Sequence, residues 1–333
     1  MEELITLDYG SGGKKTASLI EKLILPQLDN PALRQLGDGA VVPGGEELVF
    51  STDSFEVSPR FFPGGDIGKL AVCGTVNDIC MSGGEPRWLS LALILEEGLP
   101  TAELEQILSS VAKAAKEAGV CIVTGDTKVV EKGKGDGIYI NTAGIGVLRL
   151  PGLSPRAIRP GDRVLVSGTV GDHGAAVMLA RNQNLVQGAL TADCAPLHRL
   201  SAALRQLGSD LRVLRDPTRG GVATTLCEFV EGTALSILLE EEAIPVRPAV
   251  ASACDILGLD PLYCANEGKL LAVVAPERAE EALALLRGLP EGENAAVIGT
   301  VGEQWPGRVA VRTALGGTRI AAKLAGAQLP RIC

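Results

Sequence analysis

Apolar residues at Leu104, Ile107, Leu108, Val111 and Ala115 follow the spacing of one helical face. A helix is therefore predicted to start after Thr101, a residue type that caps N-termini, and to stop before Gly119, one that closes C-termini. Residues 67–81 are apolar almost throughout, and their length predicts a mostly apolar helix rather than a strand. Shorter apolar runs at 47–52, 88–96, 120–124 and 138–148 read as strands. The charged, glycine-rich stretch 131–137 suits an exposed loop or hairpin between the last two.

Pro151, Pro155 and Pro160 then punctuate the chain, as expected of an inter-domain connection. Beyond them the pattern predicts strands at 163–167 and 235–239 and helices at 174–180, 220–231 and 277–287. From Gly316 onward large apolar residues are few, which predicts a tail able to leave the surface. The expected architecture is α/β (α+β) in two domains, 1–150 and 151–315, with a flexible tail at 316–333.

At 333 residues, 46% hydrophobic, the chain can bury substantial cores. A net charge of −9 and only 3% aromatic residues argue against a nucleic-acid surface. The start Met1-Glu2-Glu3-Leu4 is not that of a signal peptide, and no apolar run approaches the ~20 residues that span a bilayer. A cytoplasmic protein without membrane contact is expected.

Eight cysteines include no C-x-x-C pair and there are two histidines, so a structural zinc site has little support. Cys73, Cys80 and Cys121 lie in apolar runs and read as reduced core residues. Cys333 ends the chain and differs. A thiol on an unanchored terminus can be carried to a site, and the α-carboxylate beside it disfavours the thiolate, so it suits a carrier better than an attacking nucleophile.

Carboxylates recur at glycine-flanked or apolar-to-polar junctions: Gly37-Asp38-Gly39, Thr52-Asp53-Ser54, Asn77-Asp78, Gly125-Asp126-Thr127-Lys128 and Asp216-Pro217-Thr218-Arg219-Gly220-Gly221. Hard oxygen ligands suit Mg²⁺, and glycines let backbone N–H groups approach phosphate, so Asp38, Asp53, Asp126 and Asp216 are read as metal ligands of a nucleotide site between the domains. Gly10-Ser11-Gly12-Gly13-Lys14 fails the Walker A pattern. Asn77 and Asp78 interrupt the apolar helix and are either a satisfied helix-end network or ligands. Glu267 and Lys128 could move protons or form surface ion pairs, and His173 could carry a proton or cap a helix.

Taken together, Thr52-Asp53-Ser54-Phe55, Phe61-Phe62-Pro63-Gly64-Gly65-Asp66-Ile67-Gly68-Lys69, Gly125-Asp126-Thr127-Lys128-Val129-Val130, Gly171-Asp172-His173-Gly174, Asp216 to Gly221, Asn266-Glu267-Gly268-Lys269 and the terminal Pro330-Arg331-Ile332-Cys333 resemble the HypE family of hydrogenase maturation factors. The resemblance runs nearly end to end, and the terminal motif separates this family from other members of the aminoimidazole ribonucleotide synthetase-like superfamily. It implies an N-terminal ATP-binding domain that pairs into a β-barrel across a homodimer, then an α/β domain and a mobile tail. It also implies an ATP-dependent carbamoyl dehydratase: HypF loads a carbamoyl group on Cys333, the enzyme converts it to a thiocyanate, and the cyano group passes to the HypC–HypD scaffold for a [NiFe]-hydrogenase. Thr52, Lys69, Asn77, Gly125 and Arg219, with Asp38, Asp53 and Asp126, are the implied nucleotide-site residues. His173 joins the implied catalytic set. Dehydration needs a base, for which Glu267 is chosen, a group holding phosphoryl or substrate, Lys128, and an orienting group, Asp78.

Two rivals stand beside this reading. A superfamily kinase or synthetase acting on a free small molecule would leave Cys333 unexplained, and a thiol-linked scaffold would leave the acidic residues unexplained.

Overall fold

The computed structural model describes residues 4–6, 18–30, 47–181, 190–323 and 331–333. A π-helical turn, Ile20–Ile24, leads into the short helix α1 (Leu25–Leu28). The first sheet holds β1 (Leu48–Phe55), β4 (Gly84–Glu96), β5 (Cys121–Val130) and β6 (Ile138–Leu148) in the order β1-β6-β4-β5, and a small ribbon pairs β2 (Phe61–Phe62) with β3 (Gly65–Asp66). Helices α2 (Ile67–Met81) and α3 (Thr101–Ala118) pack on it. Burial alternates along β6 because only one face of this sheet is covered, as antiparallel pairing permits.

Helix α3 fits its apolar stripe, with Leu104, Ile107, Leu108 and Val111 fully buried and Gly119 closing it in the left-handed conformation (φ 69°). Its cap is Pro100, however, and Thr101 is the first helical residue. Asp66 caps α2 by accepting from the Gly68 and Lys69 N–H groups at 2.8 and 3.0 Å. Strand β5 runs past the expected end at 124, so Gly125, Asp126 and Lys128 lie in an extended edge strand rather than a turn. No β5–β6 hairpin forms, since β4 lies between them; in the connecting loop the Gly133 and Gly137 N–H groups donate to the Glu96 carboxylate at 2.6 and 2.8 Å.

The second sheet is a seven-stranded mixed sheet ordered β13-β12-β9-β11-β7-β10-β8. It comprises β7 (Arg163–Val166), β8 (Leu211–Arg215), β9 (Ser236–Glu240), β10 (Leu271–Val274), β11 (Ala296–Gly302), β12 (Val309–Arg312) and β13 (Thr318–Ala321). Helices α4 (Asp172–Arg181), α5 (His198–Leu204), α6 (Gly221–Val230), α7 (Pro248–Leu257) and α8 (Ala279–Arg287) accompany it. Residues 318–321, expected in the tail, are this sheet's edge strand, paired antiparallel with β12.

The proline stretch is exposed at Pro151, Pro155 and Pro160 but tethered to the second unit, with Ile158 buried and Ser154 N donating to the Arg212 carbonyl at 2.9 Å. Helix α2 lies between the first sheet and α5 and β8 of the second unit, and one core runs through both units, taking in Leu70, Val76, Leu165, Ala175, Leu200 and Ile332. A separate core, including Val164, Leu226 and Ile237, fills the other face of the second sheet. Among the described residues no helix is long and apolar enough to cross a membrane.

Candidate active site

Two polar residues at the buried end of α2 divide the work. Asn77 is fully buried: its Nδ2 donates to the Ala195 and Glu267 carbonyls at 3.2 and 3.3 Å, and its Oδ1 accepts from the Leu197 N–H at 2.8 Å. Its amide is thus committed to backbone partners, the satisfied network of the two readings, and it anchors the Glu267 segment. Asp78, half-buried, accepts from Ser51 Oγ at 2.8 Å, and burial first, then the charge of Asp53, raises its pKa above the usual carboxylate range. Asp53 and Ser51 share the helix-facing side of β1 because strand residues two apart share a face.

The Glu267 segment is fixed from several sides. Asn266 Oδ1 accepts from the Gly171 N–H at 2.8 Å, and its Nδ2 donates to the Pro217 and Cys264 carbonyls at 3.1 and 3.0 Å. The Glu267 N–H donates to Asp193 Oδ1 at 3.0 Å, and Lys269 Nζ lies 3.3 Å from Asp193 Oδ2. Gly268 has no room for a side chain, since a Cβ there would fall 1.8 Å from the Asp193 carbonyl oxygen. The Glu267 carboxyl is 2% exposed and its Oε1 has no hydrogen-bond partner. Burial pushes its pKa well above the carboxylate range, and Cys194, Asp216, Asp193 and Asp53 push it further.

Cys333, packed against the shared core, feels the charge of this carboxyl. Burial raises its thiol pKa, Glu267 adds to the rise, and Arg219 opposes it through its charge and a hydrogen bond. The thiol is thereby kept protonated. The tail expected to swing free is docked at its last residues: Ile332 is 2% exposed, in the core shared by both units, and its carbonyl accepts from His173 Nε2 at 2.8 Å. His173 is fully buried edge-on to Phe62, with ring centroids 5.4 Å apart. Burial lowers its pKa, so the ring is neutral with its proton on Nε2. The structure gives His173 a hold on the tail backbone rather than a contact with the thiol.

Asp216, just after β8, is buried, and desolvation followed by the charge of Asp78 raises its pKa to about 7. Asp53, Asp78 and Asp216 are therefore near enough to repel one another, an arrangement that calls for a cation. Among the described residues no three His, Cys, Asp or Glu side chains form a metal cage by themselves. Mg²⁺, which takes one or two carboxylates and fills its octahedron with water and phosphate, fits this donor set. Lys69 Nζ donates to the Gly64 carbonyl at 3.2 Å.

The sequence grouping fails for Thr52, Asp126 and Lys128. In register they align with Ala143, Ala92 and Ile94, on the face turned away from α2, so they do not join Asp53 and Asp216 within one chain. Gly125 lies in the same strand, opposite Leu91. Asp38 and the 10–14 glycine loop lie outside the described residues. Cys121 is exposed, not core, because it begins β5 on that open face. Sequence reasoning missed Ser51 and Asp193, neither of which has a flanking pattern that marks it; Lys269 carried the signal of its motif.

The family models for AIR synthase related proteins match this chain in both parts, the N-terminal domain at residues 36–148 and the C-terminal domain at 159–312. Carbamoyl dehydratase HypE of Cupriavidus necator is 50% identical over 332 residues, spanning 99% of this chain and 95% of that protein. A crystal structure of hydrogenase maturation protein HypE in complex with ATP superposes with a TM-score of 0.94 at 50% identity, covering 98% of this chain and 99% of the other. The chain in a HypE–HypF complex superposes with a TM-score of 0.80 at 48% identity, covering 92% and 100%.

Proposed function

The chain belongs to the HypE family of carbamoyl dehydratases, and from that premise we propose how its residues convert an S-carbamoyl group on Cys333 into a thiocyanate with ATP. The enzyme is an ATP-dependent carbamoyl dehydratase of hydrogenase maturation. The observation that carries the reading is the terminal thiol, packed against the core shared by both units and within electrostatic reach of Glu267, a buried carboxyl whose Oε1 has no hydrogen-bond partner. A thiol there has no use in a kinase of free small molecules, and a scaffold without turnover has no use for an unpaired buried acid.

The amide oxygen attacks the γ-phosphorus, the bond to ADP breaks, and a proton leaves the amide nitrogen. The carbon–oxygen bond then breaks, phosphate departs, and loss of the second N–H proton leaves S–C≡N. Glu267 takes the first proton and passes it to the departing phosphate, which frees the carboxylate to take the second; desolvation makes it a strong base once ionised. Arg219 orients the sulfur, and Asp193 with Lys269 holds the Glu267 segment in place. One or two of Asp53, Asp78 and Asp216 would hold Mg²⁺, which when bound supplies charge neutralisation for the transferring phosphoryl group.

The open face of the first sheet supports a homodimer. Phe50 is 67% exposed there, with Leu48 and Ile94 also exposed, and such an apolar face calls for a covering partner. Asp126 and Lys128 stand on it, so they serve a site shared with the second copy. Residues 1–150 form the ATP-binding and pairing domain, and the domain that carries Glu267 begins at 151 and extends through the edge strand at 318–321. A solved HypE–HypF complex supports HypF as the loading partner, and HypC–HypD would receive the cyano group.

Intact-mass analysis with a carbamoyl donor system and ATP tests the reading. A carbamoyl adduct on Cys333 that then loses one water is expected, and Cys333→Ala should abolish both species. An adduct on another cysteine would overturn it.

A further inference from the structure

The last residues turn into the protein at a point of backbone strain. Arg331 adopts the left-handed conformation (φ 53°), uncommon for a residue with a side chain, and beyond it Ile332 is buried and Cys333 packs against the shared core, within electrostatic reach of Glu267. Arg331 Nε meets Glu56 Oε1 at 2.6 Å, and Arg331 Nη2 pairs with Asp136. The Arg331 carbonyl accepts from the Ser58 N–H at 3.2 Å and from Arg181 Nη2, while Arg181 Nε donates to the Ser58 carbonyl. One residue on, His173 Nε2 donates to the Ile332 carbonyl. These partners come from three places: the segment after β1, the β5–β6 loop and helix α4.

We propose that Glu56, Asp136, Arg181 and His173 form a latch that recognises an Arg-Ile-Cys terminus and sets how far its thiol reaches. The proposal rests on the carrier-thiol reading above. The side chain of Arg331 is gripped by charge, its carbonyl by Arg181, and the next carbonyl by His173, so register is read at two successive residues. A chain one residue longer or shorter beyond Arg331 would place its sulfur off Glu267. The ion-paired side chains are each 42–44% exposed, so the pairs are screened and weak. That suits a tail which must leave to be loaded and then return. Arg181 and His173 act through the tail and are positioning residues.

Alkylation of Cys333 in the full chain without nucleotide, located by mass spectrometry, tests the latch. Arg331→Ala and the pair Glu56→Ala/Asp136→Ala should each speed labelling of Cys333 about 3- to 10-fold. The triple variant should be no faster than the faster of the two, because both remove the same contacts. Arg331→Lys keeps the charge and should stay within about twofold of the parent chain; raising salt to about 0.5 M should speed the parent and leave Arg331→Ala unchanged. On carbamoyl-loaded chain the same alanine variants should slow ATP-driven water loss while ATP affinity stays within about twofold. Equal labelling of parent and Arg331→Ala, or rates in the triple variant that multiply, would overturn the latch. A loaded parent chain that keeps its water would instead overturn the dehydratase reading, with the labelling result still deciding the latch.

Discussion

At the scale of single residues, the raised pKa values of Glu267 and Asp216 have different consequences. Glu267 must be ionised to accept a proton, and burial holds its pKa above the ordinary range. The rate of water loss should therefore climb with pH above the usual carboxylate region, and single-turnover mass measurements across pH would show it. Glu267→Gln keeps the shape and should retain ATP binding but lose about 10²- to 10⁴-fold in water loss. Normal dehydration by that variant would remove Glu267 as the base. Asp216 acts on stability. Its pKa rises from 3.8 to about 7 on folding, so the unfolded chain ionises more easily. The group costs nothing at pH below its unfolded value, its cost grows as pH rises between the two values, and the full cost applies above the folded one. Asp216→Asn should accordingly raise the melting temperature of the nucleotide-free protein by a few degrees at about pH 8 and leave it nearly unchanged at about pH 4. A variant less stable at the higher pH would contradict this sign.

At the scale of elements, helix α2 ties the catalytic segment to the rest of the fold. Asn77→Ala would remove the partner of the Leu197 N–H and of the Ala195 carbonyl, leaving the Glu267 carbonyl only its bond from the Ala195 N–H, and should cost about 1–3 kcal/mol in a urea titration. It should also slow water loss, because the Glu267 segment loses its tether; Asn77→Asp, which keeps the acceptor but not the donors, should fall between. The bounds of α2 and β6 and the left-handed stop of α3 at Gly119 were legible in the sequence, because long apolar or periodic runs state their own element type. The Gly125–Lys128 stretch was not. An edge strand with an open face needs no apolar residues there, so its polar pattern looks like a turn. Strand β13 escaped for a similar reason, since of its residues only Ala321 is buried. Glu267, Asp53 and Cys333 could be named from their motifs. Asp193 could not, because its role depends on a chain crossing at Gly268 that no local pattern encodes.

At the scale of the whole molecule, one core joins both units, so Glu267 from the second unit lies within electrostatic reach of Asp53 from the first. What a single chain does not bring to that site is Lys128, which stands on the open face of the first sheet with Phe50 and Ile94. If that face meets its own copy about a two-fold axis, each site receives Lys128 from the partner. Lys128→Ala and Glu267→Gln homodimers should then both be inactive. In a mixed dimer, one site collects both substitutions and the other has neither. Mixing equal amounts under subunit exchange should therefore restore about a quarter of the parent activity, since about half the dimers are mixed and each has one intact site. Water loss from the carbamoylated protein is the readout. Its rescue should be confined to chains that carry Lys128→Ala and an intact Glu267, which differ in mass from their partners. Rescue absent after proven exchange would place Lys128 and Glu267 in the same chain's site and return the open face to a purely structural role.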